Sequence, residues 1–388
     1  MKLSLVLAAS VVSGAVVAPR ADPSTSPSPA APNLPDSVFP KFRVVSLDEA
    51  KQGLDRDIQQ LPPKPVGNLT YETAPGSAAP KFGVSLFSTV NKAATAASVA
   101  CASAPSYRFE WRQYSDSRRV SLMQAMRCLI NKRPSGRFSQ AKNRWEDFVQ
   151  LHQSVMPSVH NNAIFLLWHR YFLWTFEQIL RNECGFDRGF AWWDETKDAG
   201  HFAQSDMFTN SAYFGPLPGL NNGNPSCINT GAFAGMITHI GPGQSFTTHC
   251  ISRGVTESNT AQCNTNFVNY CLSRAAYADF ETCLEYGPHG YGHNGIGGVM
   301  QDVWSSPSDP IFWMHHAFID RVYYQWQLGN ANRLVSIDSG VDSTGKPLTL
   351  DTVLSMGGIS PDVRIRDVLN PLGGVNVGGI TFCYKYSY

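Results

Sequence analysis

Over 388 residues, 31 Lys and Arg face 30 Asp and Glu, a net charge of +1, and no basic stripe runs along the chain. That balance argues against a nucleic acid or other polyanion as partner. Charged residues are only 16% and hydrophobic ones 43%, enough for one large core or two modest ones.

The chain opens MKLSLVLAASVVSGAVVAPR, one lysine before an apolar run that ends in small residues, with Ala15 and Ala18 as cleavage points. This is the layout of a secretory signal peptide, expected over residues 1–18. The run falls short of the roughly 20 apolar residues of a membrane anchor. Residues 19–82 read as a leader, propeptide or linker. Residues 19–40, rich in Pro, Ser and Ala, have little to bury and are expected to be disordered. Within the leader, VSLDEAKQGLDRDIQQLPPKP predicts a short helix capped by Ser46 and stopped by Pro62. Asn68, in NLT, is an acceptable glycosylation site. The pattern becomes globular from about Phe87, and 83–388 is expected to be the catalytic domain. No later stretch resembles a membrane span, so no membrane partner is expected.

Nine cysteines follow, at 101, 128, 184, 227, 250, 263, 271, 283 and 383. In an exported chain they predict disulfides, with at least one thiol left over. Their connectivity stays open. No CxxC pair exists, which argues against a cysteine zinc knuckle.

Four helices carry the chemistry. SQAKNRWEDFVQLHQSV places Trp145, Phe148, Val149 and His152 on one face, and Pro157 is expected to end that helix. A loop carries His160. Asn161 or Asn162 can cap the next helix, from Ala163 to about Asn182. The third starts weakly near His289, because Gly290 and Gly292 cost helix stability. The fourth starts at SDPIFWMHHAFIDRVYYQWQ, with Asp309 suited to the cap and Pro310 to the first turn. Residues 204–280 read as loop-rich and disulfide-stapled, and the alternating tail GGVNVGGITFCYKYSY as strand. The fold class is mainly α, a helical bundle core with long loops and a few short strands.

Six of the ten histidines form two triplets, His152, His160, His169 and His289, His293, His316. The i, i+4 pair His289–His293 points to one side of a helix. Without flanking Glu-x-x-His pairs or thiols, the triplets suit copper, zinc, iron or nickel held by imidazole alone. Spacing by itself leaves two metal sites and six scattered core histidines equally open. His201, His239 and His249 lie in polar, loop-like sequence and read as ordinary histidines.

HNNAIFLLWHRYFLWTFEQIL and SDPIFWMHHAFIDRVYYQWQ are similar to the copper A and copper B signatures of the tyrosinase and catechol oxidase family. HGYGH resembles the opening of the copper B site, and AWWDET resembles the segment between the two sites. The likeness spans roughly Arg108 to Tyr386. It implies a four-helix-bundle core around a dicopper centre, with copper A on His152, His160 and His169 and copper B on His289, His293 and His316. It further implies that the copper pair binds dioxygen as a bridging peroxide and acts on small phenols. By the family pattern the second residue of His315–His316 is the ligand. His315 is then expected to stand behind the ligands or beside substrate, with Phe312 stacked against the copper B histidines. Asp320 is expected either to fix an arginine such as Arg170 or to pair at the surface.

Several positions shape the expected reaction. Some members crosslink a cysteine to the second copper A histidine; Ser158 stands two residues before His160, so no thioether is expected. Glu281, eight residues before His289, matches a glutamate that holds water near copper. The asparagine that shares this water in monophenol-hydroxylating members is Gly290 here, which tilts the expectation toward oxidation of o-diphenols to o-quinones. Asn294 is expected to orient substrate. Val303 matches a position that shields copper A, and as a small residue it should leave the entrance open. The end, YKYSY, resembles the tyrosine motif that closes the catalytic domain in short secreted fungal members, so no C-terminal plug is expected. Either the enzyme is made active or the leader shields it. The alternatives are a tyrosinase that hydroxylates monophenols, an o-aminophenol oxidase, and a haemocyanin-like oxygen carrier that covers the same histidines.

Overall fold

The computed structural model describes residues 31–53 and 101–388. The signal peptide, Pro62, Asn68 and the boundary at residue 83 lie outside the described residues. Among those described, no helix is long and apolar enough to cross a membrane.

Helix α1 (Leu47–Lys51) is followed by α2 (Asp116–Asn131), α3 (Arg144–Val159) and α4 (Phe165–Cys184). Farther along come α5 (Tyr277–Leu284), α6 (Gly290–Ile296) and α7 (Phe312–Leu328). Helix α4 is buried without interruption from Phe165 to Glu177. A helix apolar on every side must be wrapped on every side, and α4 is the central rod, packed against α2, α3 and α7. Trp313 of α7 lies flat on Phe176 of α4 at 3.6 Å and 4°, while Trp145 and Phe148 of α3 meet Trp313 edge-on. Gly185 stops α4 in the left-handed conformation, φ 66°.

The strands are few and short. β1 (Ser106–Glu110) lies between β2 (Ala191–Trp192) and β5 (Tyr384–Tyr386), parallel to both; β3 (Val375–Val377) and β4 (Ile380–Phe382) form the hairpin before β5. The mainly α expectation and the strand-forming tail hold.

Four disulfides join Cys101–Cys383, Cys128–Cys184, Cys227–Cys250 and Cys271–Cys283, and buried Cys263 is the leftover thiol. With the other eight paired and the Cys263 Sγ set against the Pro288 carbonyl, none is left to crosslink His160.

Two expectations about local structure need correction. Residues 31–40, part of the stretch expected to be disordered, are ordered together with 41–53. They form one unit with the rest, because Phe39, Phe42, Val45 and Ala50 all find cover in the core. Within them Ser46 caps α1 as expected, in a reciprocal box with Glu49. Pro157 does not end α3, which runs on to Val159.

Behind the central rod lies a buried ionic knot. Arg170 Nε donates to Asp320 Oδ1 (2.6 Å), and Arg108 bridges Asp320 and Glu177 (both 3.0 Å). Tyr384 and Tyr386 each donate a hydroxyl to Asp320 Oδ2 at 2.6 Å. Burial pushes the Asp320 carboxyl up, but Arg170 and Arg108 outweigh it and hold it below the usual aspartate range. Arg170 therefore sits in an apolar helix because its partner is buried with it. The surface reading of Asp320 falls, since the residue is 4% exposed. The knot ties β1, α4, α7 and β5 together, and α4 and α7 carry His169 and His316.

Candidate metal centre

Each histidine is placed by a local device. His152 sits on the buried face of α3, whose first turn Asn143 caps by accepting from Glu146 N–H (2.9 Å). His160 caps the other end of α3. The turn after it is clasped by Asn162, which donates to His160 O (2.8 Å) and accepts from Ile164 N–H (3.1 Å). His169 lies one turn into α4. His289 ends a wide π-type turn, Glu285–His289, that splices α5 to α6, an irregularity that recurs at functional sites. His293 is one turn on. His315 and His316 lie in the first turn of α7, where Asp309 accepts from Ile311 N–H (3.0 Å) and is itself gripped by Arg253.

The two trios meet. His169 and His316 stack at 4.6 Å and 16°, and His160 and His289 at 5.9 Å and 25°. Groups able to hold a metal ion are His152, His160, His169 on one side and His289, His293, His315, His316 on the other. All are at most 4% exposed. Burial holds every one of these imidazoles neutral; His152 falls to about 4 and His315 to about 3. A neutral imidazole is the form that binds metal.

The donor set fits a pair of ions. Nδ1 of His152, His169, His289 and His293 faces the carbonyls of Trp304 (2.8 Å), Phe165 (2.9 Å), Glu285 (3.0 Å) and Met300 (2.7 Å). A carbonyl only accepts, so Nδ1 carries the proton and Nε2 keeps its lone pair. Those lone pairs converge: His152 Nε2 is 3.2 Å from His160 Nε2 and 3.4 Å from His169 Nε2, and His293 Nε2 is 3.3 Å from His316 Nε2. Unprotonated nitrogens at that spacing repel unless a cation lies among them. The centre of a triangle of such edges is about 1.9 Å from each corner, close to the usual metal–imidazole distance of about 2.0 Å. The Nε2 atoms of His289 and His315 are buried without a hydrogen-bond partner, so each keeps a lone pair to give a metal.

The remaining expected site residues divide. Phe312 lies against His316, with ring centroids 4.0 Å apart and planes tilted by 33°. His315 lies within the second cluster, its Nδ1 2.6 Å from buried Glu195 and its ring beside His289 and His293. Glu281 makes no hydrogen bond to a histidine, and its Oε1 is buried without a partner. Glu285 does make one: its Oε1 accepts from Asn161 N–H (2.8 Å) and lies 3.2 Å from His160 Nδ1. The carboxylate that touches His160 is thus one helical turn nearer His289 than the one the resemblance points to. Burial raises both carboxyls, Glu281 well above its ordinary range and Glu285 to about 8, and the two share a hydrogen bond.

Asn294 does not face a substrate space. Its Oδ1 accepts from Phe42 N–H (3.1 Å) and its Nδ2 donates to Phe42 O (2.9 Å). Nor is the entrance beside Val303 free of an aromatic. A cavity of ≈ 300 Å³ reaches His160, Glu285 and Val303, but its other wall is Pro40, Phe42 and Arg43. No signal in the sequence distinguished Phe42 from the leader around it.

The family model "Common central domain of tyrosinase" matches residues 142–328, the span that holds all six histidines. That match makes the central part of the chain a tyrosinase-family domain. Among its relatives in that family is Tyrosinase ustQ of Aspergillus flavus, 29% identical over 299 residues, which cover 73% of this chain and 79% of the relative. N-acetyl-6-hydroxytryptophan oxidase ivoB of Emericella nidulans is 25% identical over 351 residues, covering 72% of this chain and 92% of the relative. In structure the chain is similar to a polyphenol oxidase variant from Thermothelomyces thermophila, with a TM-score of 0.66, 25% identity, and coverage of 78% of this chain and 95% of that one. The tyrosinase fold implies a dicopper site, and the two histidine clusters are the groups here that can hold it. The chain is a copper oxidase of this family.

Proposed function

We propose that this tyrosinase-family oxidase converts o-diphenols to o-quinones with dioxygen as oxidant. Copper A would be held by His152, His160 and His169, and copper B by His289, His293 and His316. A bound copper pair supplies the electron transfer between diphenol and dioxygen. Each diphenol gives up two electrons and two protons. Two diphenols and one dioxygen yield two quinones and two waters.

The chain's own residues position and move protons. Glu285 stands beside the cavity with its Oε1 already holding the Asn161 N–H, so it is placed to accept a phenolic proton. Burial lifts its carboxyl to about 8, and the Asn161 N–H and the hydrogen bond with Glu281 oppose that rise without cancelling it. Phe312 fixes the ring plane of His316. We take His316 rather than His315 as the ligand because its Nε2 lies 3.3 Å from that of His293 and its ring stacks on His169 of the facing trio.

One observation carries the preference for diphenols. Gly290 offers no side chain to share the work of Glu285, and a Cβ there would lie 2.8 Å from Arg43 O. Four disulfides favour an oxidising compartment, in keeping with secretion. The test is dioxygen uptake by copper-loaded protein with catechol, tyrosine, o-aminophenol and, because one relative is named for it, N-acetyl-6-hydroxytryptophan. Catechol should be oxidised and tyrosine left largely untouched. Equal turnover of tyrosine would overturn the diphenol reading. A second reading, reversible dioxygen carriage, is favoured by the cover that Phe42 places on the copper B side; it predicts dioxygen binding with no turnover of any of these.

A further inference from the structure

The segment just before α1 crosses the copper B histidines. The Phe42 ring lies on that of His293 at 4.0 Å and 18°. It meets His289 edge-on at 5.1 Å and 89°, and His160 at 5.7 Å and 66°. Phe42 is 7% exposed, whereas His289 and His293 are fully buried. The ring is thus the outermost layer over these imidazoles. A flat ring at that distance and angle makes the stacked contact that aromatic pairs favour.

Three further features hold it there. Both amide atoms of Asn294 are spent on the Phe42 backbone. On either side, Val303 N–H donates to Pro40 O and Val45 N–H to Tyr286 O, each at 2.9 Å. Beneath the strap, Gly290 leaves room for the chain to pass. A Cβ at that position would lie 2.8 Å from Arg43 O and 2.9 Å from Val44 Cγ1, tighter than real contacts allow. A residue without a side chain at 290 and an amide turned to the backbone at 294 are both explained by one thing, the path of residues 40–45.

We infer that this strap is a built-in occluder of the copper B face. Phe42 holds the place that the ring of an aromatic substrate must take to approach copper B, and substrate enters only when the strap lifts. The inference rests on the reading that aromatic rings bind at this centre. If the lifted form is a minor population, the apparent affinity for a ring-shaped ligand falls by that fraction. A small anion, entering by the cavity beside His160, escapes the penalty.

The experiment uses the full, copper-loaded chain in its cupric form and titrates two probes by absorption, azide and 4-nitrocatechol. Wild type is compared with Phe42→Ala, which removes the ring, and Gly290→Ala, which pushes the Arg43 backbone away and leaves the ring intact. Phe42→Leu, which keeps an apolar anchor but no flat face, serves if the alanine variant fails to fold. The expected result is 4-nitrocatechol binding at least about ten-fold tighter in the variants than in wild type, with azide affinity little changed. Wild type that binds 4-nitrocatechol as tightly as the variants would overturn the inference. Variants that bind 4-nitrocatechol tightly yet oxidise no catechol would leave the strap standing and sink the functional reading instead.

Discussion

The two halves of the centre use the same ligand type but are built and exposed differently. The proposed copper A trio comes from α3, its C-cap and α4, and His160 borders the cavity. The proposed copper B trio comes from a spliced, glycine-rich helix pair and α7, and lies under Phe42. The contrast shows where each half gets its rigidity. Copper A relies on long helices wrapped in apolar side chains. Copper B relies on close approach: a Cβ on Gly292 would strike the His315 ring at 2.5 Å, and His315 is fixed by Glu195. One half is open and regular; the other is covered and tightly interlocked.

The largest expected effect tests whether both halves are needed. Replacing either His160 or His293 by alanine should lower catechol turnover by more than about 100-fold, beyond what loss of an outer partner costs. If one variant retained activity, the two sides would not act as a pair.

Next in size is the joint between the halves. Asp320→Asn removes the charge that Arg108 and Arg170 share, and breaking a buried pair costs about 3–5 kcal/mol. Denaturant unfolding should show a loss of that order; a loss near zero would mean the knot does not hold α4 against α7.

Acid should then act on copper-free protein. The unfolded His152 titrates near 6.5 and the folded one at about 4 because burial disfavours its cation. Between those values the unfolded state binds more protons, so stability is full above pH 6.5 and is lost as pH falls toward 4. His152 alone accounts for about 3 kcal/mol. Thermal melts of copper-free protein across that window should fall steadily. A flat profile would place the histidines in contact with water.

The smallest effect separates the two glutamates. Glu285→Gln should cost about 10–100-fold in turnover, as expected for a group bonded to a ligand's ring. Glu281→Gln should cost less. The reverse order would restore the assignment the resemblance points to.

Much of this was legible in the sequence. Periodicity places His152 on a buried helix face, and the i, i+4 spacing of His289 and His293 brings them to one side. Arg170 finds the partner expected for it, Asp320. What escaped has physical causes. The family resemblance points to Glu281, whereas the carboxylate that touches His160 is Glu285, one helical turn nearer His289, a contact that depends on the fold rather than on local pattern. Gly290 and Gly292 weaken a helix by propensity, yet close neighbours require them. Phe42 lies among residues of leader-like composition, and its role comes from contacts some 250 positions away in sequence, which no local pattern records.

Copper content is the most direct test of two three-histidine sites. Copper-loaded full chain should carry two copper ions, measured by mass spectrometry against protein quantified by amino-acid analysis, and His152→Ala or His293→Ala should each carry one. A wild-type chain with one copper or none, or variants that keep both, would contradict the account.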